Sequence, residues 1–237
     1  MTLRQSDTNA MKKWKDMIKK SSPARCKLYE SGIAGIEQRR WFYVIVKELF
    51  RKMIHMGTAF VPLVLYFSRT LIVFLLVAAL VIYSITEFIR LSGKTVPVVS
   101  KITEAAARQR DSDRFVLGPV TLCLGVLFTV LMFDFKVATA GVFALAFGDG
   151  LASLSGKMFG QCVIPFTQGK TAAGSLTCFL AIFLSSYAVF GSCVLSLSVA
   201  AVGMFIELLP LRDMDNLIIP VIVSAVIKFG FAAVASV

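Results

Sequence analysis

The sequence predicts an all-α, polytopic integral membrane protein with about seven transmembrane helices, preceded by an N-terminal amphipathic helix at the membrane interface. Three observations carry that prediction. Hydrophobic residues make up 57% of the 237 residues and charged residues only 16%, where a soluble domain runs nearer 45–50% and about 25%. The mean hydropathy is +0.79. The apolar residues fall in blocks of about 15–21, close to the ~20 that cross a bilayer. A disordered chain and a soluble globular enzyme are both excluded by the same numbers.

The elements follow in order. Residues 1–52 form a basic cytoplasmic and interfacial segment, and 53–237 a transmembrane catalytic domain. Positions 1–55 hold 13 Lys/Arg against 5 Asp/Glu, which is +8 of the total net charge of +11. In a soluble protein such an arm would suggest nucleic acid. Ahead of a membrane span it marks the cytoplasmic side and meets anionic lipid headgroups, so no nucleic-acid partner is expected. Trp41, Phe42, Tyr43, Leu49 and Phe50 alternate with Arg39, Arg40, Lys47, Arg51 and Lys52, the mixture of a helix lying in the interface. Spans are read at 53–68, 70–90, 115–133, 137–156, 173–190, 192–209 and 216–236, the first of them short. The connections after the second, fourth and sixth spans carry Lys94, Lys101, Arg108, Arg110, Arg114, Lys157, Lys170 and Arg212. The N-terminus and these connections are therefore cytoplasmic. The first 40 residues lack an apolar h-region, so no removable signal peptide is expected.

Cys26, Cys123, Cys162, Cys178 and Cys193 form no C-x-x-C pair, and His55 is the sole histidine. Zinc and iron–sulfur chemistry are not indicated. The informative residues are carboxylates inside apolar spans, which cost several kcal/mol unless paired or functional. At a rise of 1.5 Å per residue, Asp149 lies ~19 Å from the outer end of its span, in the cytoplasmic half. Glu207 and Glu87 lie near the inner ends of theirs.

Three segments concentrate chemistry. In Gly148-Asp149-Gly150-Leu151-Ala152-Ser153-Leu154-Ser155-Gly156-Lys157-Met158-Phe159-Gly160, Asp149 is a natural Mg²⁺ ligand, and Mg²⁺ usually holds substrate phosphates as well. The small residues Gly150, Ser153 and Gly156 serve either close approach of a phosphate or plain helix packing. In Gly169-Lys170-Thr171-Ala172-Ala173-Gly174-Ser175, a helix start combines free N–H groups with a cation, both suited to phosphate. Otherwise Lys170 is a topology-setting lysine. A Walker A loop is excluded, because Ile164 stands where it needs glycine. In Glu207-Leu208-Leu209-Pro210-Leu211-Arg212-Asp213-Met214-Asp215-Asn216, the oxygens of Glu207 and Asp213 suit Mg²⁺ or a ribose hydroxyl, while Asp215 or Asn216 caps the seventh span. Arg51, Lys52 and His55 open the first span. Glu87 and Arg90 have i,i+3 spacing and form either part of the site or a structural ion pair. Phosphoryl transfer needs this kind of set, with metal, cations and little covalent chemistry, and an acceptor held among the spans is a lipid.

On these residues the chain resembles the dolichol kinase, phytol kinase and CTP-dependent diacylglycerol kinase family, which is related to the phosphatidate cytidylyltransferases. The resemblance covers roughly 48–220. It rests on Gly148-Asp149-Gly150, Ser153, Gly156-Lys157, Gly160, Gly169-Lys170-Thr171 and Gly174-Ser175, with Arg51-Lys52-x-x-His55, Glu87-x-x-Arg90 and Glu207. It implies a membrane kinase that uses CTP and Mg²⁺ to phosphorylate a lipid alcohol such as diacylglycerol, a polyprenol or phytol. By position it implies Asp149 for metal, Lys157 and Lys170 for the CTP phosphates, and Glu207 for metal or the acceptor hydroxyl. The chain lacks the many extra spans of long dolichol kinases, which favours a small prokaryotic-type member in a bacterial cytoplasmic membrane, or the ER membrane if eukaryotic. Two competing functions remain at this stage: phosphatidate cytidylyltransferase, and a non-enzymatic transporter or scaffold.

Overall fold

The structure, a computed structural model, describes residues 46, 48–92, 115–167, 169–211 and 213–235, with side chains in the last helix described through Gly230. By contacts the chain divides into Met1–Val46 and Lys47–Val237, and the architecture below is that of the second unit. Most of the expected interfacial helix, the 93–114 connection with its basic residues, and Arg212 lie outside the described residues.

Among the described residues the regular structure is helical, with one isolated bridge between Val163 and Thr171. Helix α1 covers 48–57 and runs through a 3₁₀ turn at Thr58–Phe60 into α2, Val61–Phe67. The following helices are α3 Arg69–Leu91, α4 Gly118–Met132, α5 Phe135–Phe159, α6 Ala172–Phe190, α7 Cys193–Leu208 and α8 Asp215–Ala235.

Among the described residues, three helices are long and apolar enough to cross a membrane: α3, α5 and α6. Helices α4 and α7 are apolar but shorter. The first expected span, 53–68, is not one helix. Pro62 has no N–H to give, so the backbone tightens to 3₁₀ just before it, and Thr58 Oγ1 donates to the His55 carbonyl at 2.6 Å. The seven residues of α2 alone are too few for a crossing, which needs ~20, but helical backbone runs unbroken over 48–67.

Helix α5 is the axis of the fold. Two thirds (67%) of its apolar window is buried, against 11% for α3 and 28% for α6. It contributes Ala140, Ala144 and Ala152 to one core with α6, α7 and α8. It contributes Ala138, Val142 and Leu145 to another with α2, α3 and α4. In lipid, apolar surface gains little by leaving the acyl chains, so close packing of small residues must hold helices together. The alanines of α5 supply this, while α3 turns Phe74, Ile82, Ile85 and Phe88 outward.

Polar tethers add to the packing. Asn216 Nδ2 donates to Gly118 O at 3.4 Å and Thr121 Oγ1 at 3.3 Å, joining α8 to α4. Arg69 donates to Phe133 O at 2.6 Å, and Lys228, for which the sequence suggests no role, lies 5.8 Å over the Phe133 ring. Helices α4 and α8 approach closely at Gly125, where a Cβ would strike the Asn216 carbonyl and the Leu217 backbone. Pro220 denies that carbonyl its helical donor. Gly125→Val is therefore expected to destabilise the protein by roughly 1–3 kcal/mol or more, because backbone cannot yield to the added volume. A melting temperature in detergent equal to that of the parent chain would count against this contact.

Candidate functional site

A cleft of about 390 Å³ opens among the ends of five helices, within the range of small-ligand sites. Helix α1 brings Glu48, Arg51 and Lys52, whose i, i+3 and i+4 spacing puts them on one face. Helix α5 brings Asp149, Ala152, Ser153, Gly156 and Lys157. The approach to α6 brings Thr167, Gly169, Lys170 and Thr171, with Gly174 inside the helix. Glu207 and Pro210 come from the end of α7, Asp213 from the turn that follows, and Asp215 and Asn216 from the start of α8.

Local structure explains these placements. Asp149 closes a π-helical stretch, Ala144–Asp149, inside α5. Such wide turns re-aim side chains and recur at functional sites. Thr171 caps α6, its hydroxyl accepting from Gly174 N at 3.2 Å. The first turn of α6 thus points its positive end into the cleft. Gly169 has φ +93°, a conformation open mainly to glycine. Gly174 lies against the Ala152 carbonyl, so α5 and α6 meet closely beneath the cleft.

Three acids of the cleft, Glu48, Asp149 and Glu207, face cations. Lys52 Nζ bonds Asp149 Oδ2 at 2.5 Å, and His55 Nδ1 lies 3.3 Å from the same oxygen. The Lys52 and Asp149 side chains are 3% and 8% exposed, a buried pair whose separation is costly. Glu48 accepts from Arg51 at 2.5 Å, Ser153 at 2.6 Å and Lys157 at 2.7 Å. Burial pushes its carboxyl upward, but Arg51, Lys157 and Ser153 outweigh burial and hold it well below the usual carboxylate range. Lys170 pairs with Glu207 at 3.2 Å, and Ser175 donates to Glu207 at 3.3 Å.

The structure thus brings Arg51, Lys52, Asp149, Ser153, Gly156, Lys157, Gly169, Lys170, Thr171, Gly174, Glu207 and Asp213 to one cleft. His55 and Ser175 stand behind it, touching Asp149 and Glu207. Gly148 packs on Ile182, Gly150 on Met56, and Gly160 near Thr171; none of the three lines the cleft. Glu87 and Arg90 belong elsewhere. Fully buried Glu87 accepts from two Arg90 nitrogens at 2.8 and 2.9 Å and from Val116 N at 2.9 Å, a clamp between α3 and the approach to α4. Their i,i+3 spacing reads as that structural pair, outside the cleft.

The expected metal set of Asp149, Glu207 and Asp213 does not form a ready cage. Among the described residues, no three His, Cys, Asp or Glu side chains converge tightly enough to hold an ion. The reason is visible in the pairings, since Asp149 and Glu207 spend oxygens on Lys52 and Lys170. The donor set is nonetheless all oxygen, and Mg²⁺ asks the protein for only one or two carboxylates alongside phosphates and water.

Sequence reading missed Glu48. Its signal is the stripe Glu48, Arg51, Lys52, His55, four polar residues on one face of an apolar helix. Without its partners 105 and 109 positions away, that stripe resembles an ordinary solvated face.

The chain is similar to several known proteins. An uncharacterized protein of Methanocaldococcus jannaschii is 28% identical over 188 residues, 77% of this chain and 94% of that one. Phytol kinase 1, chloroplastic, of Arabidopsis thaliana is 26% identical over 162 residues, 60% of this chain and 53% of that one. A probable phytol kinase, chloroplastic, of Zea mays is 31% identical over 88 residues, 36% of this chain and 29% of that one. The chain spans about half or less of the length of these two phytol kinases. No family model matches it, and no solved structure does. Likeness to phytol kinases thus accompanies, among the described residues, apolar helices long enough to cross a membrane.

Proposed function

We propose that the protein is a CTP-dependent lipid-alcohol kinase that transfers the γ-phosphoryl group to diacylglycerol, a polyprenol or phytol at the cytoplasmic membrane face. In this reading seven segments cross the bilayer, with the basic N-terminus inside. The observation that carries it is the cleft itself, where Arg51, Lys52, Lys157 and Lys170 meet Asp149, Glu207 and Asp213 at the ends of apolar helices.

Each partner in the cleft is exchangeable. A triphosphate offers oxygens that can replace Glu48 and Glu207 opposite Arg51, Lys157 and Lys170, as phosphate-binding cations require. The start of α6 adds N–H donors and a positive dipole end. Mg²⁺, held by Asp149 with Glu207 or Asp213, would supply positive charge against the phosphates. Lys52 and His55 keep Asp149 oriented, and in this reading Glu207 would receive the acceptor hydroxyl.

The test is label transfer in mixed micelles, against diacylglycerol, polyprenols, phytol and phosphatidate. Label from γ-labelled CTP on a lipid alcohol is the expected result. Transfer from α-labelled CTP to phosphatidate, with none from the γ-position, would replace this reading with cytidylyltransferase chemistry. Solute flux in liposomes without nucleotide turnover would replace it with transport. Lys170→Met is expected to raise the apparent KM for CTP about tenfold or more, the loss of one charge-assisted phosphate contact. An unchanged KM would remove Lys170 from the nucleotide site.

A further inference from the structure

The connection between α5 and α6 is folded against itself. Ile164 N donates to Lys170 O at 2.8 Å, Ala172 N donates to Cys162 O at 3.0 Å, and Val163 bridges Thr171. Thr167 Oγ1 donates to Ile164 O at 2.7 Å and pins the tip. The resulting small hairpin has two sides. Thr167, Gly169, Lys170 and Thr171 line the cleft. On the other side Phe166 is 97% exposed and Val163 57% exposed.

Phe166 carries a second anomaly. Its φ is +67°, the only positive value at a non-glycine among the described residues. A bulky side chain in the left-handed region is disfavoured, and such conformations persist where surrounding bonds over-determine them, often beside ligand sites. In water, a turn position of this kind suits Gly or Asn. A phenyl ring held there pays twice, once in backbone strain and once in exposed apolar surface.

The position of the hairpin says what covers the ring. It joins α5 to α6, two of the helices long and apolar enough to cross a membrane. A loop between two crossing helices emerges at a bilayer face, and Met158 and Phe159, at the end of α5, continue the apolar surface toward it. Transfer of a phenyl ring into an apolar phase gains more than one left-handed residue loses. We propose that the Phe166 tip is an interfacial anchor, inserted at the headgroup–acyl boundary of the leaflet on which the cleft opens. The occupant of this surface is lipid, not protein. Because Lys170 sits on the same hairpin, the anchor sets the level of the cleft relative to the headgroups.

The full chain, with its other cysteines replaced, carries a single NBD-labelled cysteine in nanodiscs, first by F166C. The expected result is quenching by lipids bearing a nitroxide just below the headgroup, with loss of quenching by aqueous iodide. Quenching by iodide alone would overturn the proposal. Shielding from both quenchers would also overturn it, placing the ring against protein. Should F166C not fold, native Cys162, exposed on the same hairpin, takes the label, with Phe166 present or changed by Phe166→Gly. Glycine accepts the positive φ, so the hairpin is retained while the ring is lost. Lipid quenching at Cys162 should then fall and iodide quenching rise; identical quenching in the two proteins sinks the idea. None of these readouts depends on the kinase reading.

Discussion

Asp149→Asn is expected to lower turnover by at least ~100-fold, because in the proposed reaction the change removes the charge that would position a phosphate-bound metal. The same change leaves Lys52 buried without its counter-ion, a loss of about 3–5 kcal/mol when one partner of a buried pair goes. Activity alone would confuse the two effects. The double change Lys52→Met with Asp149→Asn separates them: it removes both charges, so stability should recover while turnover stays low. Recovery of turnover in the double variant would make Asp149 a structural residue. Near-normal rates in the single variant, with ordinary amounts of protein in the membrane, would remove Asp149 from the site. Chelation of divalent cations should abolish turnover of the parent chain, and persistence of label transfer in excess chelator would exclude a metal requirement.

The second large effect is expected at Glu48. Its carboxylate accepts from Arg51, Ser153 and Lys157 and so joins α1 to α5. Glu48→Gln keeps the volume and removes the charge, leaving Arg51 and Lys157 facing each other uncompensated. Breaking a buried pair costs about 3–5 kcal/mol; the Lys157 side chain is 41% exposed, so solvent returns part of that here. The melting temperature of the variant should drop by several degrees, about 4 °C or less per kcal/mol at this chain length. Bound CTP would supply the missing negative charge, so its stabilising effect should be larger in the variant than in the parent. Equal melting temperatures, with and without CTP, would show that Glu48 holds nothing. The sign of the pH effect follows from the lowered folded value. Glu48 stabilises the fold above the ordinary carboxylate range, and that contribution is lost as pH falls toward the folded value. Glu48→Gln should flatten this part of the acid-unfolding profile.

Much of the helix pattern was legible in the linear chain. The blocks read at 70–90, 115–133, 173–190, 192–209 and 216–236 lie within a few residues of α3, α4, α6, α7 and α8. Apolar runs of that length have few other folded forms available in lipid. The 53–68 block is less regular than the reading expected, since the backbone tightens to a 3₁₀ turn between α1 and α2, just before Pro62. Thr171 as the start of α6 was readable because a Thr before a run of small residues is a cap in most settings. Whether Glu87 and Arg90 lie at the cleft was not legible, because i,i+3 spacing announces an ion pair without saying whether a ligand lies beside it.

Local chemistry and hydropathy, which act between near neighbours, were enough to specify an all-helical, apolar chain with acids and lysines at particular helix ends. Which acid meets which lysine is another matter. Lys52 reaches Asp149 across 97 positions and Lys157 reaches Glu48 across 109, and no periodicity encodes such a distance. Those partners were chosen by the packing of α1 and α6 against α5, and by the π turn that aims Asp149. Charges buried together must neutralise one another, so the packed helices, not the order of residues, settle the pairs that make the cleft.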